Sequence, residues 1–96
     1  VIPMRLLPLL FAACAAGAQP VVVYTALDDM YSRPILDAFT AETGVEVRAV
    51  YDTEAAKTTG LVNRIISEAR RPRADVFWNN EVVQTIVLQE RGLLEP

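Results

Sequence analysis

Polar side chains that carry oxygen and amide groups follow three apolar runs of the chain. Carboxylates and hydroxyls suit hard cations, and helix N-termini at such positions offer N–H donors to an anionic or oxygen-rich ligand. The same residue types also cap helices, so each cluster by itself is open to either interpretation. The three clusters together predict a binding cleft. They are Thr25 and Asp28 after the first run, Asp52, Thr53 and Glu54 after the second, and Asn79, Asn80 and Glu81 after the third.

The sequence shows no convincing catalytic motif. It contains no histidine, which excludes a Ser-His-Asp triad and a histidine-based zinc site within it. No glycine-rich phosphate-binding motif follows a strand pattern. Lys57–Gly60 superficially resembles the K-T-G of penicillin-interacting enzymes, but no S-x-x-K motif accompanies it. Asp52 and Glu54 are paired carboxylates that suit acid–base work, yet nothing marks a nucleophile or a substrate.

Three predicted strands must position these clusters. Val21–Tyr24 is a continuous β-branched and aromatic run, which is typical of a strand buried on both faces. Val45–Tyr51 begins with alternating apolar and polar residues, which indicates a more exposed strand near the sheet edge. Asp75–Trp78 gives a third, short buried strand. Helical segments complete a β-α-β-α-β-α order, so an open parallel α/β sheet would gather the three clusters at one edge.

The first helix is predicted between the first two strands. Asp28 or Asp29 caps its N-terminus, and Pro34 fits a second helical start. Gly44 ends the helix in the left-handed conformation. The apolar stripe of this helix consists of Ile35, Leu36, Ala38 and Phe39.

Two further helices are predicted after the second and third strands. The second helix begins at Asp52–Glu54 with Asp52 or Thr53 as its cap, and Gly92 ends the third helix. Their apolar residues recur at helical spacing and are expected to face inward. In the second helix these are Leu61, Val62, Ile65, Ile66 and Ala69, and in the third they are Val82, Val83, Ile86 and Val87.

Residues 1–18 have the pattern of a secretory signal peptide. Arg5 precedes a short apolar core, and Ala16–Ala18 fits the small-x-small rule for cleavage. The core is shorter than the roughly 20 residues of a membrane-spanning helix. A buried N-terminal helix is disfavoured because the run is not amphipathic. Cys14 is the one cysteine, and Phe11–Cys14 offers a second alternative as a lipobox that anchors the protein to lipid.

The charge balance argues against a nucleic-acid partner. The formal net charge is −3, and loss of Arg5 with the signal makes it −4, which leaves no basic footprint for nucleic acid. Arg70–Arg73 is the one basic cluster, and it fits a solvated turn after a helix C-terminus better than a phosphate-binding patch. Export by this signal would place residues 19–96 in the bacterial periplasm. They are predicted to form one small, truncated domain.

Three stretches resemble bacterial extracellular solute-binding proteins, in the branch that includes the periplasmic ferric-ion-binding proteins of ABC importers. They are Val22–Ala26, Ala38–Val47 and Ala74–Glu81. The pattern F-x-x-x-T-G-[apolar]-x-V, followed by A-D-V-F, is fairly specific to these proteins. Gly92–Pro96 is similar to their "GLL-x-P" stretch. The resemblance covers the chain from residue 20 to 96.

This resemblance implies part of the first lobe of a type II periplasmic-binding-protein fold, which closes on its ligand about a hinge. It implies a binding protein rather than an enzyme, monomeric when full length, that delivers its ligand to an ABC permease. The ligand is expected to be ferric iron or a small charged solute. Two alternatives stay open: a secreted α/β enzyme acting on a phosphate or sugar ester, and a periplasmic sensor domain.

The metal ligands of the ferric-binding branch match this chain only in part. In that branch the first lobe supplies a histidine after the first strand and a glutamate after the A-D-V-F strand, and the second lobe supplies two tyrosines. Asp28 stands at the histidine's place, and Asn80 or Glu81 at the glutamate's. Asp28 and Glu81 are therefore the candidate Fe(III) ligands. Related branches bind phosphonates, polyamines, thiamine or sulfate, and Asp52–Glu54 with Lys57 suits an organic or phosphate-bearing ligand.

Overall fold

A computed structural model describes residues 19–52 and 58–95 of the chain. These residues form three strands and three helices in alternating order, as the sequence predicts. The strands are β1 (Val21–Thr25), β2 (Val47–Tyr51) and β3 (Val76–Trp78), and the helices are α1 (Asp29–Thr43), α2 (Thr59–Ser67) and α3 (Val82–Glu90). Within the described ranges, none of the helices has the length and apolar character needed to cross a membrane. The predicted signal peptide and Cys14 lie outside the described residues.

The three strands form one parallel sheet in the order β2-β1-β3. The parallel α/β arrangement is therefore confirmed, and β2 lies at one edge of the described sheet as predicted. β1 lies in the middle, and its last three residues, Val23, Tyr24 and Thr25, are buried. A central parallel strand is covered on both faces, which is why β-branched and aromatic residues dominate it.

Successive side chains of β1 lie on opposite faces of the sheet. Tyr24 is 1% exposed, and its hydroxyl donates a 2.7 Å hydrogen bond to Oε1 of Glu68, just after α2. Val23 instead lines an apolar groove with Leu36 and Phe39 of α1. Helix α2 therefore covers one face of the sheet and α1 lies against the other.

Two glycines end helices in the left-handed conformation, as predicted. Gly44 has φ 74° and donates its N–H to the Thr40 carbonyl at 2.8 Å. Gly92 has φ 72° and donates to the Gln89 carbonyl at 2.9 Å. In both cases the positive φ costs least for a residue without a Cβ.

Helix α1 runs without interruption through Pro34, so the predicted second helical start is wrong. The proline ring removes one hydrogen bond, the one that would reach the Met30 carbonyl. The first turn is closed independently, because the Asp28 carbonyl accepts from the N–H groups of Tyr31 and Ser32, both at 3.0 Å.

The apolar stripes face inward less completely than predicted. On α1 Leu36 is buried, whereas Ile35 and Phe39 are 56% and 41% exposed. On α3 the inward residue is Leu88, which is fully buried. Its predicted inward residues Val82, Val83 and Ile86 are instead exposed. In β3, predicted to be buried, Val76 is also exposed. Periodicity shows which residues share a face, but it does not show whether another element covers that face.

Candidate ligand-binding site

The last paired residues of the three strands lie in one row across the sheet. Thr25 pairs with Tyr51 on one side and with Trp78 on the other. The chain leaves the sheet at the next residue of each strand. The described residues of the predicted polar clusters therefore lie along the carboxyl edge, which is where ligands bind in open α/β sheets.

Three neighbouring cavities lie along this edge. The strand-end cavity, of about 250 Å³, is lined by Thr25, Asp28, Tyr51 and Asp52 among others. The helix-cap cavity, of about 430 Å³, is lined by Ala26, Leu27, Asp28, Tyr31, Thr58 and Asn80. The loop cavity, of about 210 Å³, is lined by Asn79, Asn80 and Glu81 together with residues of α3. Asp28 is shared by the first two cavities and Asn80 by the last two. The candidate residues Thr53 and Glu54 lie outside the described part of the chain.

Thr25 has a structural role at the floor of this edge. Its side chain is fully buried, and its Oγ1 accepts a 3.1 Å hydrogen bond from the Leu27 N–H. The neighbouring Ala26 N–H donates to the Trp78 carbonyl at 3.1 Å. Thr25 therefore shapes the turn that leads into α1.

Asp28 is exposed and is the N-cap residue of α1, as predicted. Its carbonyl rather than its side chain closes the first turn. The buried Ser32 secures this turn, because its Oγ donates to the Asp28 carbonyl at 3.1 Å and lies 3.4 Å from the Tyr51 hydroxyl. The turn and the end of β2 are thereby held together, which places the Asp28 carboxylate beside two of the cavities.

Asp52 caps α2 from a distance in the sequence. Helix α2 begins at Thr59 and not at the predicted Asp52–Glu54. The Asp52 Oδ2 nevertheless accepts a 2.9 Å hydrogen bond from the N–H of Leu61, the third residue of the helix. Asp52 therefore caps α2 as predicted, but through a contact between residues nine positions apart and not as the residue that directly precedes the helix.

Asn79 and Glu81 build the turn that starts α3. The Asn79 Oδ1 accepts from the Glu81 N–H at 2.7 Å, and the Asn79 Nδ2 donates to Oγ1 of Thr85 at 3.2 Å. The Glu81 Oε1 accepts from the Val83 N–H at 3.1 Å, which makes Glu81 the N-cap of α3. Both residues are engaged by their own turn. Asn80 between them is exposed, and no hydrogen bond joins its side chain to another described residue.

The described residues do not assemble a complete metal site by themselves. In residues 19–52 and 58–95, no three histidine, cysteine or acidic side chains lie close enough together to hold a metal ion. The candidate Fe(III) ligands Asp28 and Glu81 line different cavities. Glu81 also uses one carboxylate oxygen as a helix cap. Its assignment as a metal ligand stays a prediction.

The side chains whose pKa values are shifted, Tyr24, Arg64 and Glu68, lie away from these cavities on the α2 face of the sheet. Burial raises the pKa of Tyr24, and its hydrogen bond to Glu68 raises it further. The same hydrogen bond lowers the pKa of Glu68, and Arg64 lowers it further. Arg64 donates its Nε–H to Oε2 of Glu68 at 3.2 Å and lies 5.0 Å from the centre of the Tyr24 ring. This cluster ties β1 to α2 and is structural.

Sequence reasoning missed several residues that line the cavities, and Tyr51 and Thr58 are two of them. Tyr51 is the last residue of β2 and pairs with Thr25 at the carboxyl edge. Its position in the sequence, directly before Asp52, was the signal that could have found it. Thr58 lines the helix-cap cavity. It was assigned to a helix interior, and no local signal in the sequence separates it from the helix that begins at Thr59.

Comparison with characterised proteins shows similarity to the major ferric iron-binding proteins of Neisseria gonorrhoeae and of Neisseria meningitidis serogroups A and B. Each is 32% identical to this chain over 91 residues, which cover 91% of this chain and 26% of the relative. The chain therefore spans about a quarter of the length of these relatives. No protein-family profile matches the chain. No solved structure matches it either.

These findings agree with the resemblance drawn from the sequence. The relatives are named as binding proteins, not as enzymes. The three-stranded parallel sheet with its three helices is compatible with part of one lobe of a periplasmic binding protein. The chain is thus similar in sequence to ferric iron-binding proteins, and its fold does not conflict with that similarity.

Proposed function

We propose that this protein is the periplasmic substrate-binding component of an ABC importer, which captures ferric iron or a small charged solute and delivers it to a membrane permease. One observation carries the proposal: the exposed residues Asp28 and Asn80 line neighbouring cavities at the carboxyl edge of the sheet. The similarity to ferric iron-binding proteins supports iron as the first candidate.

The chemistry of this edge suits a charged, oxygen-coordinated ligand. Asp28 offers a carboxylate, which is a hard donor of the kind that Fe(III) prefers. Asn80 offers an amide carbonyl and an N–H₂ group, which suit either a coordinated cation or a polar solute. Among the other described candidates, Asp52 and Glu81 cap helices, and Thr25 and Asn79 accept hydrogen bonds within their own turns. Under this proposal the described edge forms one wall of a cleft that closes on the ligand.

The first test is thermal unfolding of the purified protein with and without ferric citrate. A ligand that binds only the native state raises the melting temperature by mass action, by an amount that grows with its concentration above the Kd. We expect ferric citrate to raise the melting temperature by several degrees. Asp28→Asn removes the hard donor and should abolish most of that rise. Asn80→Ala should reduce it less.

The matched control is Asp37→Asn, which removes an exposed carboxylate of α1 that lies 4.0 Å from the Arg33 guanidinium and does not line the three cavities. It should leave the ferric-dependent rise unchanged. A rise that is equal in Asp28→Asn and Asp37→Asn would contradict the proposed role of Asp28. No rise with ferric citrate, and none with phosphonates or polyamines, would contradict the proposed function itself.

A further inference from the structure

Three exposed arginines lie in the turn that joins α2 to β3. They are Arg70, Arg71 and Arg73, and Arg70–Arg73 is called the arginine turn below. The sequence suggests that such residues complement the negative end of a helix, but this effect falls off within the last turn of the helix. The basic residue in the last turn of α2 is Arg64. The arginine turn lies beyond it, so the dipole of α2 does not account for its three guanidinium groups.

The carboxylates beside the arginine turn already accept hydrogen bonds from other groups. Both oxygens of Glu68 accept from side chains of β1 and α2. One oxygen of Asp75 accepts from a backbone N–H of β1. No ion pair joins Arg70 or Arg71 to another described residue, whereas Arg73 contributes to the lowered pKa of Glu68. The arginine turn therefore presents positive charge at the surface.

The arginine turn is fixed at the amino edge of the sheet, where the parallel strands begin. The Asp75 N–H donates to the Val22 carbonyl at 2.8 Å, and the Val22 N–H donates to Oδ2 of Asp75 at 2.9 Å. Within the turn, the Arg71 N–H donates to the Glu68 carbonyl at 3.0 Å. These bonds hold the arginine turn beside the start of β1, at the edge of the sheet opposite the candidate ligand-binding site.

The N-terminal segment joins the domain at this same edge. Residues 1–18 precede the first described residue, Gln19, and β1 begins at Val21. The sequence predicts an apolar signal core that ends at Ala13, eight residues before Val21. Eight extended residues span at most roughly 30 Å. A core that lies in a membrane therefore keeps the amino edge near the lipid headgroups, whose phosphate groups attract arginine side chains.

We propose that the arginine turn docks the amino edge of the domain on an anionic phospholipid surface, the periplasmic face of the membrane that holds the N-terminal segment. Arg70 and Arg71 donate guanidinium N–H groups to lipid phosphate oxygens, and Arg73 adds positive charge. A basic cluster beside one membrane-attached segment supplies the second of the two signals that stable anchoring takes. The candidate site then faces away from the membrane, toward solutes in the periplasm. This inference goes beyond the proposed function and does not depend on the identity of the ligand.

The test is co-sedimentation of the full chain with vesicles of phosphatidylcholine, either alone or mixed with phosphatidylglycerol. The apolar N-terminal segment binds both kinds of vesicle, so the gain from phosphatidylglycerol measures the electrostatic part. Removal of one basic residue near an anionic surface weakens binding roughly fivefold. The double variant Arg70→Gln/Arg71→Gln should therefore bind the mixed vesicles roughly 25-fold more weakly. Its binding to phosphatidylcholine alone should not change.

The matched control is Arg33→Gln/Arg48→Gln, which alters the net charge by the same amount. These two arginines lie 4.0 Å and 3.6 Å from carboxylates of their own elements or adjoining residues, so this variant should keep the gain from phosphatidylglycerol. Arg70→Lys/Arg71→Lys retains both charges and should also keep most of the gain. Equal binding of the two glutamine variants overturns the proposal and leaves the arginine turn to an acidic protein surface or to solvent. A gain that persists in 1 M salt, where the screening length is about 3 Å, also overturns it.

The one tryptophan of the chain reports which edge docks. Trp78 ends β3 at the carboxyl edge, and the five residues of β1 place about 13 Å between the two edges. Phosphatidylglycerol with brominated acyl chains quenches tryptophan that approaches the hydrocarbon core. It should leave the fluorescence of Trp78 unchanged in the vesicle-bound protein. Quenching would show that the carboxyl edge faces the membrane, which overturns the proposed orientation.

Discussion

The two faces of the sheet are built from adjacent residues of β1, and they differ in kind. On the α2 face Tyr24 is fully enclosed, and its hydroxyl is bound to Glu68, which Arg64 also holds. On the α1 face Val23 is equally buried, but it borders an apolar groove of about 350 Å³. Residues on the rim of this groove, including Ile35, Phe39 and Val76, are 41% to 56% exposed.

This difference shows how a strand with a uniform sequence acquires two unlike environments. Val21–Thr25 gives no indication of which face is closed by polar contacts. Glu68 lies 44 residues away from Tyr24 in the sequence. Helix α2, which ends directly before Glu68, completes the enclosure of Tyr24. The open groove on the α1 face marks apolar surface that the described residues leave uncovered.

The largest loss of stability is expected from a substitution on the α2 face of the sheet, where Tyr24 is enclosed. Tyr24→Ala removes a large buried side chain together with its hydrogen bond, so it should lower the free energy of unfolding by about 3 to 5 kcal/mol. Urea denaturation of the purified protein measures this change. Tyr31→Ala is the matched control, because Tyr31 is 65% exposed and should cost less than about 0.5 kcal/mol. Similar losses for the two variants would show that the enclosure of Tyr24 contributes little.

An intermediate loss of stability is expected at low pH, where Glu68 becomes protonated. The hydrogen bond from Tyr24 and the contacts with Arg64 hold the pKa of Glu68 below its ordinary value in the folded protein. The unfolded chain therefore binds the proton more readily. The stabilisation by Glu68 is complete above its ordinary pKa of about 4.3 and is lost as the pH falls through the lower folded value. We expect a loss of roughly 1 to 3 kcal/mol, the contribution of a hydrogen bond to a charged group.

Urea denaturation between pH 7 and pH 3 measures this loss, and Glu68→Gln provides the comparison. The variant should be less stable at pH 7 and should show a flatter dependence on pH below 5, since glutamine does not titrate. The opposite sign applies to Tyr24, because its raised pKa makes its contribution complete below about pH 10 and lost in stronger alkali. If the free energy of unfolding falls equally steeply with decreasing pH in Glu68→Gln and in the unchanged protein, the loss comes from other carboxylates.

The smallest effect on stability is expected on the open face. Phe39 is 41% exposed, so Phe39→Ser should lower the free energy of unfolding by about 1 kcal/mol or less. It should also reduce self-association, because it places a hydroxyl on an apolar surface. Light scattering after size-exclusion chromatography measures the association, with Asp37→Ser as the control on a polar face of the same helix. A loss of stability as large as that of Tyr24→Ala would show that the open face is covered in solution.

The N-termini of α2 and α3 show that sequence patterns predict local caps but not caps from remote residues. Asn79 and Glu81 cap α3 through contacts within three residues, and their residue types alone favour such a turn. The cap of α2 joins Asp52 to Leu61 across nine residues, and no local pattern specifies that partner. The predicted start of α2 was wrong for this reason, and the position of Thr58 at the cavity went unnoticed.

Sequence patterns were enough to predict the alternating order of strands and helices, the parallel sheet, the edge at which the polar residues lie, and the ends of α1 and α3. These features follow from properties of short segments: β-branched runs, periods of apolar residues and glycines that adopt a positive φ. The three-dimensional packing was needed to show which polar residues hydrogen-bond as helix caps, which line cavities, and which apolar stripes are covered. Those outcomes depend on partners that are remote along the chain, and burial is a property of the partner as much as of the residue.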